Sequence, residues 1–507
     1  MRSAAIPSTA SIARERTISR ATLLRLIALT PVVLLIHGYH PFADDAAIYV
    51  AGVRKLVHPA LFQVDAPFVT ANTHLSVFAH LLAGVVLATH LPLSIVLLAT
   101  HLASIYFFLL GSWLIATRLF DHGQERWYAV LLAAACFTLP AAGTALTLMD
   151  PYVTARSLST PLGLFAVAAV LDRRWWLSAL MIALMALMHP LMAVYVAALV
   201  ILYAIIDAGH PWAAVALGMA GIAATGVIWL ETRRLPVPHA YFEAMRNGAR
   251  SFLFPARWHW YEDLGLVLPL LLYAFAAKSR RAGRVRNLCR ACVILGASSI
   301  AAAFLFVHLS GPFFLVRLQL LRSFHILYLL GVLLVGGWLG KTLAGRPSTR
   351  WVMLALLAAI ATGMFTSQRA EYPLSAHIEW PGVRPRDPWS QAYFWIRNNT
   401  PMNAVFAADP HLIFRQGVNQ QGFRATAERS LLADDKDQGV AAVMDPSIAP
   451  QWAAQRDAQI GINTMTDAER SQRLKPFGVT WLLLPANAAT DFSCPYHNDA
   501  AKVCRMN

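Results

Sequence analysis

Two adjacent carboxylates, Asp44 and Asp45, follow the first strongly apolar run of the chain, within HPFADDAAIYVAG. An acid held at a membrane face can take the proton of a hydroxyl group as that hydroxyl attacks a sugar carbon. In that role one carboxylate is the general base, and the other orients it or caps the following helix. Two other interpretations are open. The acids could cap a helix over AAIYVAGVRKL, or they could bind a divalent metal together with His40, for which the spacing is loose.

Two arginines, Arg317 and Arg322, interrupt the largely apolar stretch FFLVRLQLLRSF. A charge near the membrane face is costly unless it pairs with another group or binds a ligand. Because a guanidinium fork matches phosphate oxygens, a lipid phosphate is one candidate ligand. The alternative is that both side chains simply extend their charged ends into the interface. The other candidate substrate-binding residues on the same side are His40, Arg156, His189 and His325.

The composition is that of a membrane protein. The chain has 507 residues, of which 57% are hydrophobic and 14% charged, and its mean hydropathy is +0.50. Soluble proteins are about 45–50% apolar and about 25% charged, so we expect a polytopic membrane protein. The net charge of +15 follows from basic residues gathered in cytoplasmic loops, and no nucleic-acid partner is predicted.

Eleven apolar stretches predict membrane spans, since a spanning helix needs about 20 mostly apolar residues. They are 21–38, 92–117, 127–147, 159–171, 175–189, 191–206, 211–230, 264–277, 291–308, 325–340 and 351–366. The stretch 75–90 is also apolar, and we interpret it as an interfacial helix of the first outer loop. If it spanned instead, the segments 118–126, 149–158 and 172–174 would change sides.

The basic residues predict the orientation. With the basic N-terminus, residues 1–20, in the cytoplasm, the segments RLFDHGQER, LDRRW, KSRRAGRVRNLCR and GKTLAGRPSTR also lie inside, as the positive-inside rule requires. The transmembrane domain is then 21–366, with a first outer loop at 39–91. Eleven spans place the tail, 367–507, on the outside.

The tail is polar and contains no span, and about 140 residues are enough to fold as a domain. SQAYFWIRNN predicts an amphipathic helix, with Tyr393, Phe394 and Ile396 inward, and NAVFAADP and VTWLLLPA predict strands. We therefore expect a small extracytoplasmic α/β domain. Outside the cytoplasm, Cys494 and Cys504 would form a disulfide. The cations of the tail that could bind an anionic glycan, or be ordinary surface charges, are Arg415, Arg424, Arg429 and Lys436.

The layout resembles the GT-C glycosyltransferases, which are polytopic enzymes that use polyprenyl-phosphate-linked sugars. In that family the first outer loop holds the catalytic acid, a position that Asp44 and Asp45 match in HPFADDAAIY. DPYVTARS matches the second outer loop, and Arg317 and Arg322 fall where relatives bind the carrier phosphate. The tail, from WSQAYFWIRNNTPMNAVFAADP to FRATAERSLLADDKD, is also similar to a group of uncharacterised bacterial membrane proteins of this type.

The resemblance implies an inverting transferase of the bacterial inner membrane that moves a sugar from a polyprenyl-phosphate carrier to an envelope glycan, lipid or protein on the periplasmic side. Two alternatives remain: a transporter or flippase for a lipid-linked substrate, and a non-catalytic envelope assembly protein. The sequence has no phosphate-binding loop, no HExxH and no GxSxG, which disfavours a primary pump, a zinc protease and a serine hydrolase.

Overall fold

A computed structural model describes residues 18–246, 248–278, 283–308, 313–343, 347–415 and 418–506. Residues 1–17 of the predicted cytoplasmic N-terminus, and residues 279–282 of the predicted basic loop KSRRAGRVRNLCR, lie outside the described residues.

Most of the chain is helical. The helices, in chain order, are α1 (Arg20–His37), α2 (Asp45–Val57), α3 (Ala66–Thr70), α4 (Phe78–Thr89), α5 (Leu93–Leu119), α6 (Gly123–Ala135), α7 (Ala155–Leu171), α8 (Trp175–Met188), α9 (Pro190–Asp207), α10 (Pro211–Thr232), α11 (His239–Arg246), α12 (Trp260–Lys278), α13 (Gly283–Phe306), α14 (Phe313–Leu318), α15 (Phe324–Thr342), α16 (Pro347–Glu371), α17 (Pro388–Asn399), α18 (Phe423–Ala427), α19 (Asp437–Met444), α20 (Ala449–Gln459) and α21 (Asp467–Leu474). Short 3₁₀ turns lie at Gly248–Leu253, Pro255–Arg257, Leu320–Ser323, Leu412–Phe414, Pro446–Ile448 and Lys475–Phe477.

Eight helical stretches of the described chain are long and apolar enough to cross a membrane. They are α1, α5, α9, α10, α12, α13, the run Phe314–Thr342 through α14 and α15, and α16. In α10 and α16 only 6% of the most apolar window is buried inside the protein. Apolar side chains that no other part of the protein covers need a lipid environment. The chain is therefore a multi-pass membrane protein with a helical bundle.

The other three predicted spans form helices that are shorter than a regular span. The stretch 127–147 is helical only as far as Ala135 and then continues as an irregular segment with a bridge between Pro140 and Thr147. The prediction of one continuous helix there is wrong, because Pro140 has no N–H to donate and disfavours helix at the residue before it. The predicted spans 159–171 and 175–189 correspond to α7 and α8, of 17 and 14 residues.

Ion pairs at one end of the bundle bring the predicted inner loops together. Asp172 accepts hydrogen bonds from Nε and Nη2 of Arg118, at 3.0 and 2.6 Å, and lies 3.8 Å from Arg284. Arg173 pairs with Asp207 at 2.9 Å. A spanning helix at 75–90 would put 172–174 on the side opposite Arg284. The contact places them on the same side, and α4 itself has only 12 residues, which is too short to span.

The tail forms a small α/β domain around a five-stranded sheet, as its sequence predicts. The strands are β1 (Val405–Ala407), β2 (Ser430–Leu431), β3 (Trp481–Pro485), β4 (Tyr496–His497) and β5 (Ala501–Arg505). Their order is β2-β1-β3-β5-β4, in which β1 is parallel to β2 and β3, and β5 is antiparallel to β3 and β4. The core buries Tyr393 and Ile396 of α17, whereas Phe394 is partly exposed. Cys494 and Cys504 form a disulfide.

The first outer loop packs directly against this domain. A Cβ atom on Gly422 would lie 2.1 Å from the Cβ of Ala47 in α2, so only glycine permits the two backbones to approach so closely. The fully buried Arg424 of α18 pairs with the equally buried Asp65, just before α3. These contacts hold the C-terminal domain over the start of α2, which is where the acid pair lies.

Candidate active site

Asp44 and Asp45 stand at the beginning of α2. Asp44 occupies the N-cap position, but its side chain makes no capping hydrogen bond, so the capping interpretation of Asp44 is wrong. One carboxylate oxygen accepts a hydrogen bond from the Tyr152 hydroxyl at 2.7 Å. The other is bound by the ammonium group of Lys436. The carboxylate therefore faces the second outer loop and the C-terminal domain instead of its own helix.

The backbone of Asp44 is strained. Its φ of 47° and ψ of −127° lie outside the regions that side-chain-bearing residues usually adopt. Such a conformation costs on the order of 1–3 kcal/mol and persists only where the surroundings enforce it. Here the N–H of Asp44 donates to the carbonyl of Gln420 at 2.9 Å, while Tyr152 and Lys436 hold the carboxylate. Strain of this kind clusters at functional sites.

Asp45 belongs to a second set of contacts, centred on Arg156. One carboxylate oxygen of Asp45 lies 3.0 Å from Nη2 of Arg156. The same Nη2 lies 2.9 Å from Asp150, which also accepts hydrogen bonds from the hydroxyls of Thr147 and Thr154, at 3.0 and 3.2 Å. Arg156 is almost fully buried. The stretch DPYVTARS therefore supplies the arginine that binds Asp45 and the acid that holds this arginine in place.

Lys436, which directly precedes α19, joins the two acids. Its ammonium group binds Asp44 and lies 3.1 Å from the carboxylate of Asp45, and only 17% of its side chain is exposed. From the sequence, Lys436 is predicted to be a surface cation or a contact for a glycan. In the structure it lies between the two acids. Its one local signal is its position inside the acidic run ADDKD.

The charges of this cluster stabilise one another. Burial raises the pKa of Asp45, but Lys436 and Arg156 outweigh that effect and hold it below its ordinary value. Burial lowers the pKa of Lys436, but the two acids outweigh it and raise the pKa above its ordinary value. Burial raises the pKa of Asp150, which Arg156 offsets only in part. At neutral pH Asp45 is therefore ionised and Lys436 is protonated.

Arg322, His189 and His325 border the same cluster. Arg322 is near enough to Asp45 to interact with it electrostatically, and its guanidinium carbon lies 5.4 Å from the ring centre of Phe252. Its Nε atom is buried and has no hydrogen-bond partner among the described residues. The His325 ring bonds to the carbonyl of Leu148 at 3.0 Å, and His189 interacts electrostatically with Arg322 and His325.

Two of the predicted site residues lie elsewhere. The His40 ring is hydrogen-bonded to Glu379 at 2.9 Å and stacks on Tyr372 at 3.8 Å between centres, so its hydrogen-bond partner is Glu379 and not either of the two acids. Arg317 interacts electrostatically with Tyr241 and Asp445. Lys436 and Asp445 flank the eight-residue helix α19, so they lie roughly 13 Å apart along its axis. The structure therefore does not bring Arg317 to the acid pair beside Arg322.

In the structure, the three residues that could form a metal site, His40, Asp44 and Asp45, have other partners. Both carboxylates are bound by Lys436, and Asp45 is also bound by Arg156, so the oxygens that a cation would use already have cationic partners. The described ranges contain no group of three or more His, Cys, Asp or Glu side chains placed to hold a metal ion.

Replacing Lys436 by Met is expected to lower the free energy of unfolding by about 1.5–3 kcal/mol at neutral pH, the usual contribution of a hydrogen bond to a charged group. The pKa of Asp45 is lower in the folded than in the unfolded state. Its contribution to stability is therefore fully present above the unfolded-state pKa of about 3.9 and is lost as the pH falls toward the folded-state pKa. The raised pKa of Lys436 keeps its charge below about pH 10. The difference in melting temperature between wild type and Lys436→Met should therefore be constant from pH 5 to 9 and shrink below about pH 4.

The matched control for that pH series is Lys475→Met, which removes an exposed lysine of the same domain and should give no such difference. A Lys436→Met difference that is undiminished at pH 3 would show that the ion pair is not its source.

No protein-family model matches the chain, and no curated protein matches it. Among solved structures it is similar to the archaeal oligosaccharyltransferase AglB from Archaeoglobus fulgidus in complex with an inhibitory peptide and a dolichol-phosphate. The identity is 11% over 92% of this chain and 69% of that chain, with a TM-score of 0.47. For the apo form of the Archaeoglobus fulgidus oligosaccharyltransferase, the identity is 11% over 92% of this chain and 70% of that chain, with a TM-score of 0.47. At this level of similarity, the interpretation of the acid cluster depends on the cluster's own residues.

Proposed function

We propose that this protein is a GT-C type membrane glycosyltransferase that moves a sugar from a polyprenyl-phosphate carrier to an acceptor hydroxyl. The observation that supports this most is the acid pair: Asp44 sits on a strained backbone, next to Asp45, with the guanidinium groups of Arg156 and Arg322 close by. A base and an anion-binding group side by side are what this transfer requires.

In the proposed reaction the acceptor oxygen attacks the anomeric carbon of the sugar, opposite the phosphate, and inverts its configuration. The bond between that carbon and the phosphate oxygen breaks, and its electron pair stays on the phosphate. Asp44 takes the proton of the acceptor hydroxyl. Arg322, whose Nε has no partner in the described chain, stabilises the negative charge that develops on the leaving phosphate. His189 and His325 line the sugar side.

Lys436 has a part in this proposal. It binds Asp44 in the structure, and a carboxylate held by an ammonium group is a weaker base. The phosphate of the arriving carrier attracts the same ammonium group, so substrate binding draws Lys436 toward the phosphate and releases Asp44. The membrane is proposed to be the bacterial inner membrane, with the N-terminus cytoplasmic and the C-terminal domain periplasmic. The acceptor is an envelope glycan, lipid or protein.

The test uses purified full-length protein and a panel of synthetic short-chain polyprenyl phosphates that carry radiolabelled hexoses or pentoses. Water can replace the acceptor slowly, so release of labelled sugar is measurable without knowing the acceptor. Arg322→Gln is expected to reduce this release about 10-fold to 100-fold, because one charge-assisted contact to the phosphate is worth about 1.5–3 kcal/mol. Arg317→Gln, which removes the arginine facing Asp445, should stay within about twofold of wild type.

Equal losses in the two variants would show that the proposed phosphate position is wrong. If wild-type protein releases no sugar from any donor but moves a labelled donor unchanged across a vesicle membrane, the protein is a transporter. If it does neither, the assembly role is the remaining function.

A further inference from the structure

A cavity of about 660 Å³ lies outside the acid cluster, between the first outer loop and the C-terminal domain. Phe42 and Arg54 form one wall, and the segment from Ser375 to Ser390 forms the opposite wall. Its volume is within the range of about 300–1,000 Å³ that ligand sites usually have. Nothing in the proposed reaction uses it.

Residues at or next to the ends of two membrane spans line the cavity. Leu91, Pro92 and Leu93, which line it, lead into the spanning helix α5. The opposite wall begins only four residues after Glu371, where the spanning helix α16 ends. Because the ends of two spans meet at this cavity, it opens at the level of the lipid headgroups.

One part of the lining is apolar and uncovered. The exposed fractions of Leu87, Leu91, Trp380 and Val383 are 53%, 44%, 49% and 64%, and all four line the cavity. Apolar side chains at this depth fit a lipid chain, and tryptophan is the residue that membrane interfaces favour. The lining therefore suits the upper part of a hydrocarbon chain.

The other part of the lining is positively charged. It contains four arginines and two glutamates. Glu428 is bound by Arg54 and lies 3.1 Å from Arg397, and Glu379 accepts from His40 and Gln421. Glu428 is thus neutralised by arginine, whereas Glu379 is hydrogen-bonded within the protein. Four arginines against two glutamates leave the lining with two positive charges in excess.

Arg384 and Arg386 are the excess charge. Both are exposed, and within the described residues neither guanidinium group has a hydrogen-bond or ion-pair partner. Two unpaired guanidinium groups beside an apolar surface match a phosphate attached to a hydrocarbon chain.

We propose that this cavity binds one anionic phospholipid of the surrounding leaflet, with its phosphate at Arg384 and Arg386 and the start of its chain against Leu91, Trp380 and Val383. The site is separate from the acid pair and does not depend on sugar transfer. Bound there, the lipid joins the first outer loop to the segment that carries the C-terminal domain.

The experiment measures lipid binding by native mass spectrometry on the full-length protein in detergent, with phosphatidylglycerol and phosphatidylcholine as probes. Wild type should retain one phosphatidylglycerol at least tenfold more tightly than phosphatidylcholine. Arg384→Gln with Arg386→Gln should reduce that preference at least tenfold, since each lost charged contact is worth about a factor of ten or more. The matched control, Arg415→Gln with Lys475→Gln, removes two exposed cations of the tail outside the cavity and should leave the preference unchanged.

Val383→Asn tests the chain contact and should weaken phosphatidylglycerol while leaving binding of glycerol 3-phosphate unaltered. The proposal is overturned if the two lipids bind equally, or if the control variant loses as much as the arginine variant. It is equally overturned if glycerol 3-phosphate displaces the lipid at similar concentration, because the site would then take a free anion. All of these variants are at exposed positions, so loss of folding does not confuse the result.

Discussion

Asp44→Asn is expected to lower the release of labelled sugar about 10²-fold to 10⁴-fold, the usual contribution of a general base. The amide has nearly the same shape and still accepts the hydrogen bond from Tyr152, but it cannot take a proton. We assign the base to Asp44 because the buried Arg156 also binds Asp45 and, together with Lys436, holds the pKa of Asp45 below its ordinary value. Asp44 has Lys436 as its cationic partner and is released when Lys436 moves to the phosphate. A carboxylate with a lowered pKa holds a proton poorly.

Asp45→Asn is the matched variant for that experiment. It keeps the base and removes a charged partner of Arg156 and Lys436, so we expect a smaller loss of activity than for Asp44→Asn and a larger loss of stability. The rate should be measured with saturating donor, and the melting temperature of each variant should be recorded. If Asp45→Asn abolishes release while Asp44→Asn does not, the two roles are exchanged. If neither variant changes a measurable release, the acids are structural.

The sequence predicts those parts of the site that depend on local pattern. Polar residues at the ends of apolar runs identify two parts of the site. These are the adjacent acids after the first span and the DPYVTARS loop after a later apolar stretch. The structure brings Asp44, Asp45 and Arg156 together. The loops at the opposite end of the bundle also meet as the distribution of basic residues predicts.

The sequence could not show contacts that depend on how the C-terminal domain packs. Lys436 and Arg424 look like ordinary surface charges, because nothing within their own segments shows that Asp44 and Asp65 lie opposite them. The same limit explains why the sequence predicts one shared phosphate site for Arg317 and Arg322, which lie in one apolar stretch. The chain turns between them, at the αL residue Gln319 and the 3₁₀ turn Leu320–Ser323, so the two side chains face different surroundings.

Arg424→Met is expected to lower the free energy for opening the C-terminal domain by about 3–5 kcal/mol, the usual cost of removing one member of a buried ion pair. Arg424 and Asp65 each have 1% of the side chain exposed. The arginine also lies 3.1 Å from Asp434 and donates to the carbonyl of Leu431 at 2.6 Å. Methionine fills a similar volume but leaves the charge of Asp65 buried without its partner. Hydrogen exchange at the amides of α18 gives the opening free energy directly.

Arg415→Met, which replaces an exposed arginine of the same domain, is the control and should change that free energy by less than about 0.5 kcal/mol. Adding Asp65→Asn to Arg424→Met should recover part of the loss, because the double variant no longer buries an unpaired charge. Equal effects of Arg424→Met and Arg415→Met would mean that the pair does not hold the domain in place. A large effect with recovery would mean that the domain carrying Lys436 is fixed over Asp44 by a contact independent of Lys436. Lys436 could then leave the acid for an arriving phosphate while the domain stays docked.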